Sequence, residues 1–147
     1  MNSKMEIKKL NEYAKLPTRG SEEAAGLDLY AAMGRDIWIR PHQSEKIGTG
    51  ISIALPKGTF GAIFARSGLA TKQHLRPSNC VGVIDSDYRG EVIVCLHNDC
   101  NDEQMVPAGS RIAQLVVVPY IMPELVEVDE LDSTDRGEKG FGSSGLN

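Results

Sequence analysis

With 147 residues, 41% hydrophobic and 24% charged, the chain has the size and composition of one globular domain. A net charge of −4 excludes a broad basic face for a nucleic-acid partner, though not a small polyanion gripped by a few arginines. No apolar run approaches the ~20 residues of a membrane helix, and residues 1–10 lack a signal-peptide core, so a cytoplasmic protein without membrane contact is expected.

Short apolar alternations broken by Gly, Pro and Asp dominate from the N-terminus onward. In Leu27-Asp28-Leu29 the aspartate points away from the face its neighbours share. Ile51, Ile53 and Leu55 fall on one face of the next clear run. Phe60, Ala62 and Phe64 then alternate with Gly61, Ile63 and Ala65. Gly68 to Leu75 reads as one short helix after a turn.

Val81–Ile84 and Val92–Leu96 flank the polar stretch Asp85-Ser86-Asp87-Tyr88-Arg89-Gly90, the pattern of a β-hairpin with carboxylates at its tip. Ile112 to Val118 is apolar on both faces. Period-2 runs at short spacing, with no long 3.6-residue period, predict an all-β sandwich or barrel rather than a bundle or a parallel βαβ fold.

Three cysteines are an odd number, so Cys80, Cys95 and Cys100 are expected as reduced thiols. Cys95, His97 and Cys100 lack a fourth ligand and fit no common zinc spacing. The stretch 132–147 is rich in Gly and Ser and reads as a tail on a β domain spanning 1–131. Within that tail Arg136, Lys139 and Phe141 supply cations and a ring that a passive end does not need.

Five segments, in order, carry a resemblance. They are Ala25-Gly26-Leu27-Asp28-Leu29-Tyr30-Ala31; Ala65-Arg66-Ser67-Gly68-Leu69-Ala70; Gly82-Val83-Ile84-Asp85-Ser86-Asp87-Tyr88-Arg89-Gly90; Gly109-Ser110-Arg111-Ile112-Ala113-Gln114-Leu115; and Arg136-Gly137-Glu138-Lys139-Gly140-Phe141-Gly142-Ser143-Ser144-Gly145. Together they resemble the motifs of the trimeric dUTPase family. Ser110, where an acidic residue is usual, and Ala65, where Gly or Pro is frequent, depart from that pattern at positions with no assigned chemistry.

The resemblance implies a jelly-roll-like fold and hydrolysis of dUTP to dUMP and pyrophosphate with Mg²⁺. It further implies a homotrimer whose active sites are shared between subunits. Asp85 corresponds to the general base that takes a proton from the attacking water; a carboxylate is ionised at neutral pH and so can accept one. Asn79, Val83, Ile84, Asp85 and Ile93 correspond to the uracil-reading segment. Fixed donors and acceptors there would leave buried polar atoms unpaired against cytosine, which reverses uracil's pattern. Tyr88 corresponds to the ring under deoxyribose.

Arg66, Ser67 and Gly68 correspond to the phosphate grip, and Gln114 to a glutamine near the α-phosphate. Asp28 corresponds to an aspartate that meets Mg²⁺ through water. Arg136 implies a contact to the triphosphate, Phe141 a ring over uracil, and Gly142, Ser143 and Ser144 further phosphate contacts as the tail closes. Two rivals share the scaffold: a dCTP deaminase, which needs an acid/base beside cytosine C4, and a non-catalytic interaction protein. The aspartate-based Ile84-Asp85-Ser86-Asp87-Tyr88 stretch argues against the first, and the intact motifs argue against the second.

Overall fold

In a computed structural model that describes residues 3–143 and 145, the alternating runs become strands. Along the chain come β1 (Glu6–Lys9), β2 (Thr18–Arg19), β3 (Leu27–Tyr30), β4 (Ile37–Ile39), β5 (Ser44–Gly48), β6 (Ile51–Ala54) and β7 (Thr59–Phe64). Helix α1 (Ser67–Lys72) follows, then β8 (Leu75–Pro77), β9 (Gly82–Ile84), β10 (Ile93–Asn98), β11 (Gln104–Val106) and β12 (Arg111–Pro119). The fold is all-β and jelly-roll-like.

The largest sheet has the order β2-β3-β12-β7-β9, and a second has the order β5-β10-β8. Two-stranded pairs β1-β6 and β11-β4 complete the set, and every pairing is antiparallel. The run that is apolar on both faces, β12, is central and pairs on both sides, with β3 and β7.

Alternation in β6 resolves as read: Ile51 and Ile53 are buried while Ser52 and Ala54 are half-buried. They join Leu29, Ile63, Leu96 and Leu115 in one apolar core. Burying such a side chain contributes about 1.5–3 kcal/mol, so scarce aromatics are offset by many aliphatics. Asn98 is a polar exception, fully buried, with Nδ2 donating to Ile39 O at 3.0 Å and to Asp102 O at 2.7 Å. Its Oδ1 accepts from the Cys100 amide at 3.0 Å, so the whole side chain is satisfied.

Two local expectations need correction. The helix begins at Ser67 and stops at Lys72, short of the expected Leu75. Gln73 caps it by donating its amide to Leu69 O at 3.1 Å, and His74, at φ 57°, turns the chain out of the helix. Leu75 is instead the buried first residue of β8.

The second correction concerns the arms around Asp85-Gly90. They do not form a hairpin. Among the described residues β9 pairs only with β7, at the edge of the five-stranded sheet, whereas β10 pairs with β5 and β8 in another sheet. A polar turn between apolar arms looks the same whether the arms pair or part. Here each arm finds a longer-range partner, and a gap opens between them.

Candidate active site

That gap is a concavity of about 480 Å³, and the expected uracil-reading residues Asn79, Val83, Ile84, Asp85 and Ile93 all line it. β9 is an edge strand, so its side away from β7 presents backbone groups that no strand uses among the described residues. Val83 and Ile93 are exposed, while Ile63, Val92 and Val94 close the floor from the core. An apolar floor with unpaired amides and carbonyls at one wall suits a flat heterocycle with polar edges.

Asp85 sits at the mouth, exposed, with its backbone carbonyl accepting from the Tyr88 amide at 3.1 Å. Its carboxylate has no protein partner among the described residues. Tyr88 also lines the concavity, its hydroxyl donating to Glu91 O at 3.0 Å and its ring lying against Gly90. Arg89 braces this loop through Nη1, which donates to Ser86 O at 2.7 Å and Tyr88 O at 3.0 Å. Glu91 accepts the Gly50 amide at 2.9 Å and so serves the loop's seating.

A second concavity gathers Asp28, Arg66, Ser67, Arg111 and Gln114 beside Gly26. The register explains the assembly. Gln114 of β12 lies opposite both Asp28 of β3 and Phe64 of β7, which brings the chain after β7 to the same spot. Gln114 Nε2 donates to Ala65 O at 2.9 Å, and its Oε1 fills the space that a Cβ at Gly26 would take. Arg66 Nε donates to Asp28 Oδ1 at 3.1 Å, and Arg111 Nη1 to Asp28 Oδ2 at 3.4 Å.

Helix α1 opens at this concavity. Its first amides, at Ser67, Gly68 and Leu69, have no acceptor within the helix, and Gly68 has open space where a side chain would stand. Guanidiniums, a short hydroxyl and free amides together suit a polyphosphate.

Asp28, the residue expected beside Mg²⁺, has both oxygens engaged by guanidiniums. No three His, Cys, Asp or Glu side chains gather as a metal cage among the described residues, and Cys95, His97 and Cys100 form no such group either. These residues do not make an Mg²⁺ site of their own. A hard cation here would take its inner ligands from phosphate oxygens and water.

Within one chain the two concavities lie apart. In the β7–β9 ladder Ile63 faces Gly82 and Gly61 faces Ile84, so Arg66 continues past one end and Asp85 past the other. The offset is roughly six residues at about 3.3 Å each, or roughly 20 Å. The concavities share no lining residue.

The described part of the tail lines neither concavity. Arg136 Nε donates to Lys139 O at 2.8 Å, and Gly137 donates its amide to Thr134 Oγ1 at 3.0 Å. Ser143 donates its amide to Gly140 O, and Phe141 is fully exposed at φ 50°. Among the described residues no hydrogen bond ties Arg136, Phe141, Gly142 or Ser143 to either concavity; Ser144 lies outside the described residues. Upstream, Ile121, Met122, Leu125, Val126 and Leu131 are strongly exposed after the last strand.

The dUTPase family model matches residues 12–145. The chain belongs to the dUTPase family. It is 48% identical, over 90% of its length and 88% of the relative's, to the deoxyuridine 5'-triphosphate nucleotidohydrolase of Desulfitobacterium hafniense. To that of Nautilia profundicola it is 44% identical, over 97% of this chain and 99% of the relative. Its fold matches a Staphylococcus bacteriophage 80alpha dUTPase G164S mutant with dUpNHpp at a TM-score of 0.90 and 30% identity, covering 99% and 100% of the two chains.

Of the expected site residues, the first concavity gathers Asn79, Val83, Ile84, Asp85, Tyr88 and Ile93, and the second gathers Asp28, Arg66, Ser67 and Gln114. Among the lining residues that sequence reasoning passed over are two cations, Lys46 on β5 and Arg111. Arg111 stood inside the fourth motif, yet nothing local marks it as facing Asp28, which is 83 residues away. No helix among the described residues is long and apolar enough to cross a membrane.

Proposed function

We propose that the chain hydrolyses dUTP by attack of water on the α-phosphorus, with Asp85 as general base. Asp85 takes a proton from water, the water oxygen bonds to the α-phosphorus, and the α–β bridging oxygen leaves with pyrophosphate. dUMP and pyrophosphate are the products. The observation that carries this reading is the concavity between the parted arms, with edge-strand backbone on one wall and an unpartnered carboxylate at its mouth. A positioned base of this kind contributes about 10²–10⁴ in rate.

The substrate is Mg²⁺-complexed dUTP. Bound to the phosphates, the cation would offset charge on the leaving pyrophosphate. Arg66, Ser67, Gly68 and Gln114 grip the polyphosphate, and Tyr88 excludes a 2′-hydroxyl.

A site that joins these groups to Asp85 draws them from different subunits. Support comes from the roughly 20 Å offset along one chain's ladder, since the α-phosphate is only one ester link from the sugar. A homotrimer also gives the apolar stretch after Pro119 a surface to cover. The tail, 132–147, then closes over bound nucleotide through Arg136, Phe141, Gly142 and Ser143, excluding water from the α-phosphate's surroundings. The β domain of 1–131 carries everything else. Working in the cytoplasm without nucleic-acid or membrane partners, the enzyme limits uracil entry into DNA and supplies dUMP for dTMP synthesis.

Glu91 is the acid nearest to where a cytosine deaminase would need one, and its engagement by the Gly50 amide argues against that chemistry. Product analysis decides. Purified protein given dUTP yields dUMP and pyrophosphate; ammonia from dCTP, or no turnover of either, would overturn the reading.

A further inference from the structure

The loop that carries Asp85 and Tyr88 is fastened to the segment of β5 and β6 by two side chains. On its outer rim Ser52 Oγ donates to Arg89 O at 2.6 Å. At its stem half-buried Glu91 accepts the Gly50 amide through Oε1 at 2.9 Å, while the Glu91 backbone carbonyl accepts the Tyr88 hydroxyl at 3.0 Å. Tyr88 in turn donates its amide to Asp85 O at 3.1 Å. Three hydrogen bonds thus lead from the corner between β5 and β6, through Glu91 and Tyr88, to Asp85. From position 92 the chain is held by backbone alone. Val92 donates its amide to Ile51 O at 2.9 Å, and its carbonyl accepts the Thr49 amide at 3.1 Å.

The anchor itself is rigid. Gly50 is buried at φ 66°, its carbonyl accepts the Leu10 amide at 2.7 Å, and a Cβ there would overlap Ala14, Ala32 and Asn11. Gly48 leaves the opening that the Glu91 carboxylate fills, since a Cβ at position 48 would stand 2.7 Å from Glu91 Oε1. Gly48 is not in the left-handed region, so alanine there would push on Glu91 without straining the backbone. The partner of Oε1 is a neutral amide, so the role calls for an acceptor and not for a charge.

We propose that Glu91 is a positioning residue for the reaction: by gripping the Gly50 amide it sets where Tyr88 and Asp85 stand at the first concavity, and Gly48 is the opening that lets it reach. The inference rests on the dUTPase reading and concerns the support behind its base end. Rate falls steeply with misplacement, since a shift of about 1 Å at reacting groups costs up to about 10²-fold.

Steady-state kinetics of the full-length protein on dUTP and UTP, with thermal unfolding beside them, test it. Glu91→Ala is expected to lower kcat for dUTP about tenfold or more, and to cut the dUTP over UTP ratio of kcat/KM at least ~3-fold. That ratio does not depend on the folded fraction, so a protein that is only destabilised keeps it. Glu91→Gln retains an oxygen for the Gly50 amide and should recover most of both losses. Gly48→Ala alters no residue lining either concavity and should change both quantities in the direction of Glu91→Ala. Wild-type kcat in Glu91→Ala, or a loss shared equally by dUTP and UTP, would overturn the proposal. Glu91→Gln as impaired as Glu91→Ala would overturn it too, by making charge the active property. Should Glu91→Ala not fold, Gly48→Ala takes its place, and wild-type behaviour there counts against the proposal in the same way. Wild-type protein that does not turn over dUTP would sink the underlying reading, a result distinct from any of these.

Discussion

The Tyr88 ring lies so close over Gly90 that a Cβ at position 90 would overlap the Tyr88 hydroxyl. Glycine there is what lets the ring lie down along the loop and line the base concavity. Gly90→Ala should therefore lift Tyr88 without touching the floor. The expected result is a fall of about tenfold or more in the ratio of kcat/KM for dUTP over UTP, with the dUTP to dCTP ratio kept. Steady-state rates on the three nucleotides check it, and an unchanged dUTP to UTP ratio would remove Tyr88 from sugar selection.

Asp85→Asn keeps the size of the side chain and removes the proton acceptor. Turnover should drop about 10²–10⁴-fold while affinity for dUpNHpp stays within a few-fold of wild type. Single-turnover rates together with calorimetry separate the two effects. Near-normal turnover in this variant would take Asp85 out of the chemistry.

A site shared between chains predicts rescue. Asp85→Asn protein and protein ending before Arg136 should each be nearly inactive. Unfolded together in equal amounts and refolded, they should regain activity in roughly a quarter of sites, the product of two even chances in a cyclic homotrimer. Activity equal to the sum of the parents, with mixed trimers confirmed by mass, would mean each site is built from one chain.

Asp99 gives a pH signature away from the site. Arg76 donates to it twice, from Nε at 2.7 Å and Nη2 at 3.1 Å. That hydrogen bonding, more than the attraction of Arg76, His97 and His42, holds the Asp99 carboxyl below its ordinary range. A lowered folded-state value means the stabilisation is present above the ordinary carboxylate range and fades as pH falls through the folded one. Asp99→Asn should thus lower Tm slightly at neutral pH, slightly because the pair is exposed, and match wild type in acid. A Tm gap constant with pH would assign the effect to packing.

Much of this was legible along the chain because alternation is local. Ile51 and Ile53 announce their face by spacing, and the run Ile112–Val118 shows apolar residues on both of its faces. What alternation cannot say is which distant edge a strand will join. The arms 81–84 and 92–96 carried a hairpin's pattern, yet β7 and β5 compete for them across the fold and win. Leu75 likewise suited a helix by spacing until a left-handed His74 put it in a strand. The motif residues Asp85, Arg66 and Gln114 were visible as a set, but the Asp28 clamp on Arg111 depends on a bulge between Arg111 and Ala113, and register slips leave no local mark in composition.

Because the arms part, the first concavity has no floor of its own: Ile63, Val92 and Val94 are at once its floor and the packed interior. Ordinary enzymes can drift in their interiors and keep their substrate. On the proposed reading, a methyl gained or lost at Ile63 would change the depth available to a pyrimidine, so the ligand as well as stability would hold the interior to one volume. Base choice, on that reading, and a close-packed centre would rest on the same three side chains.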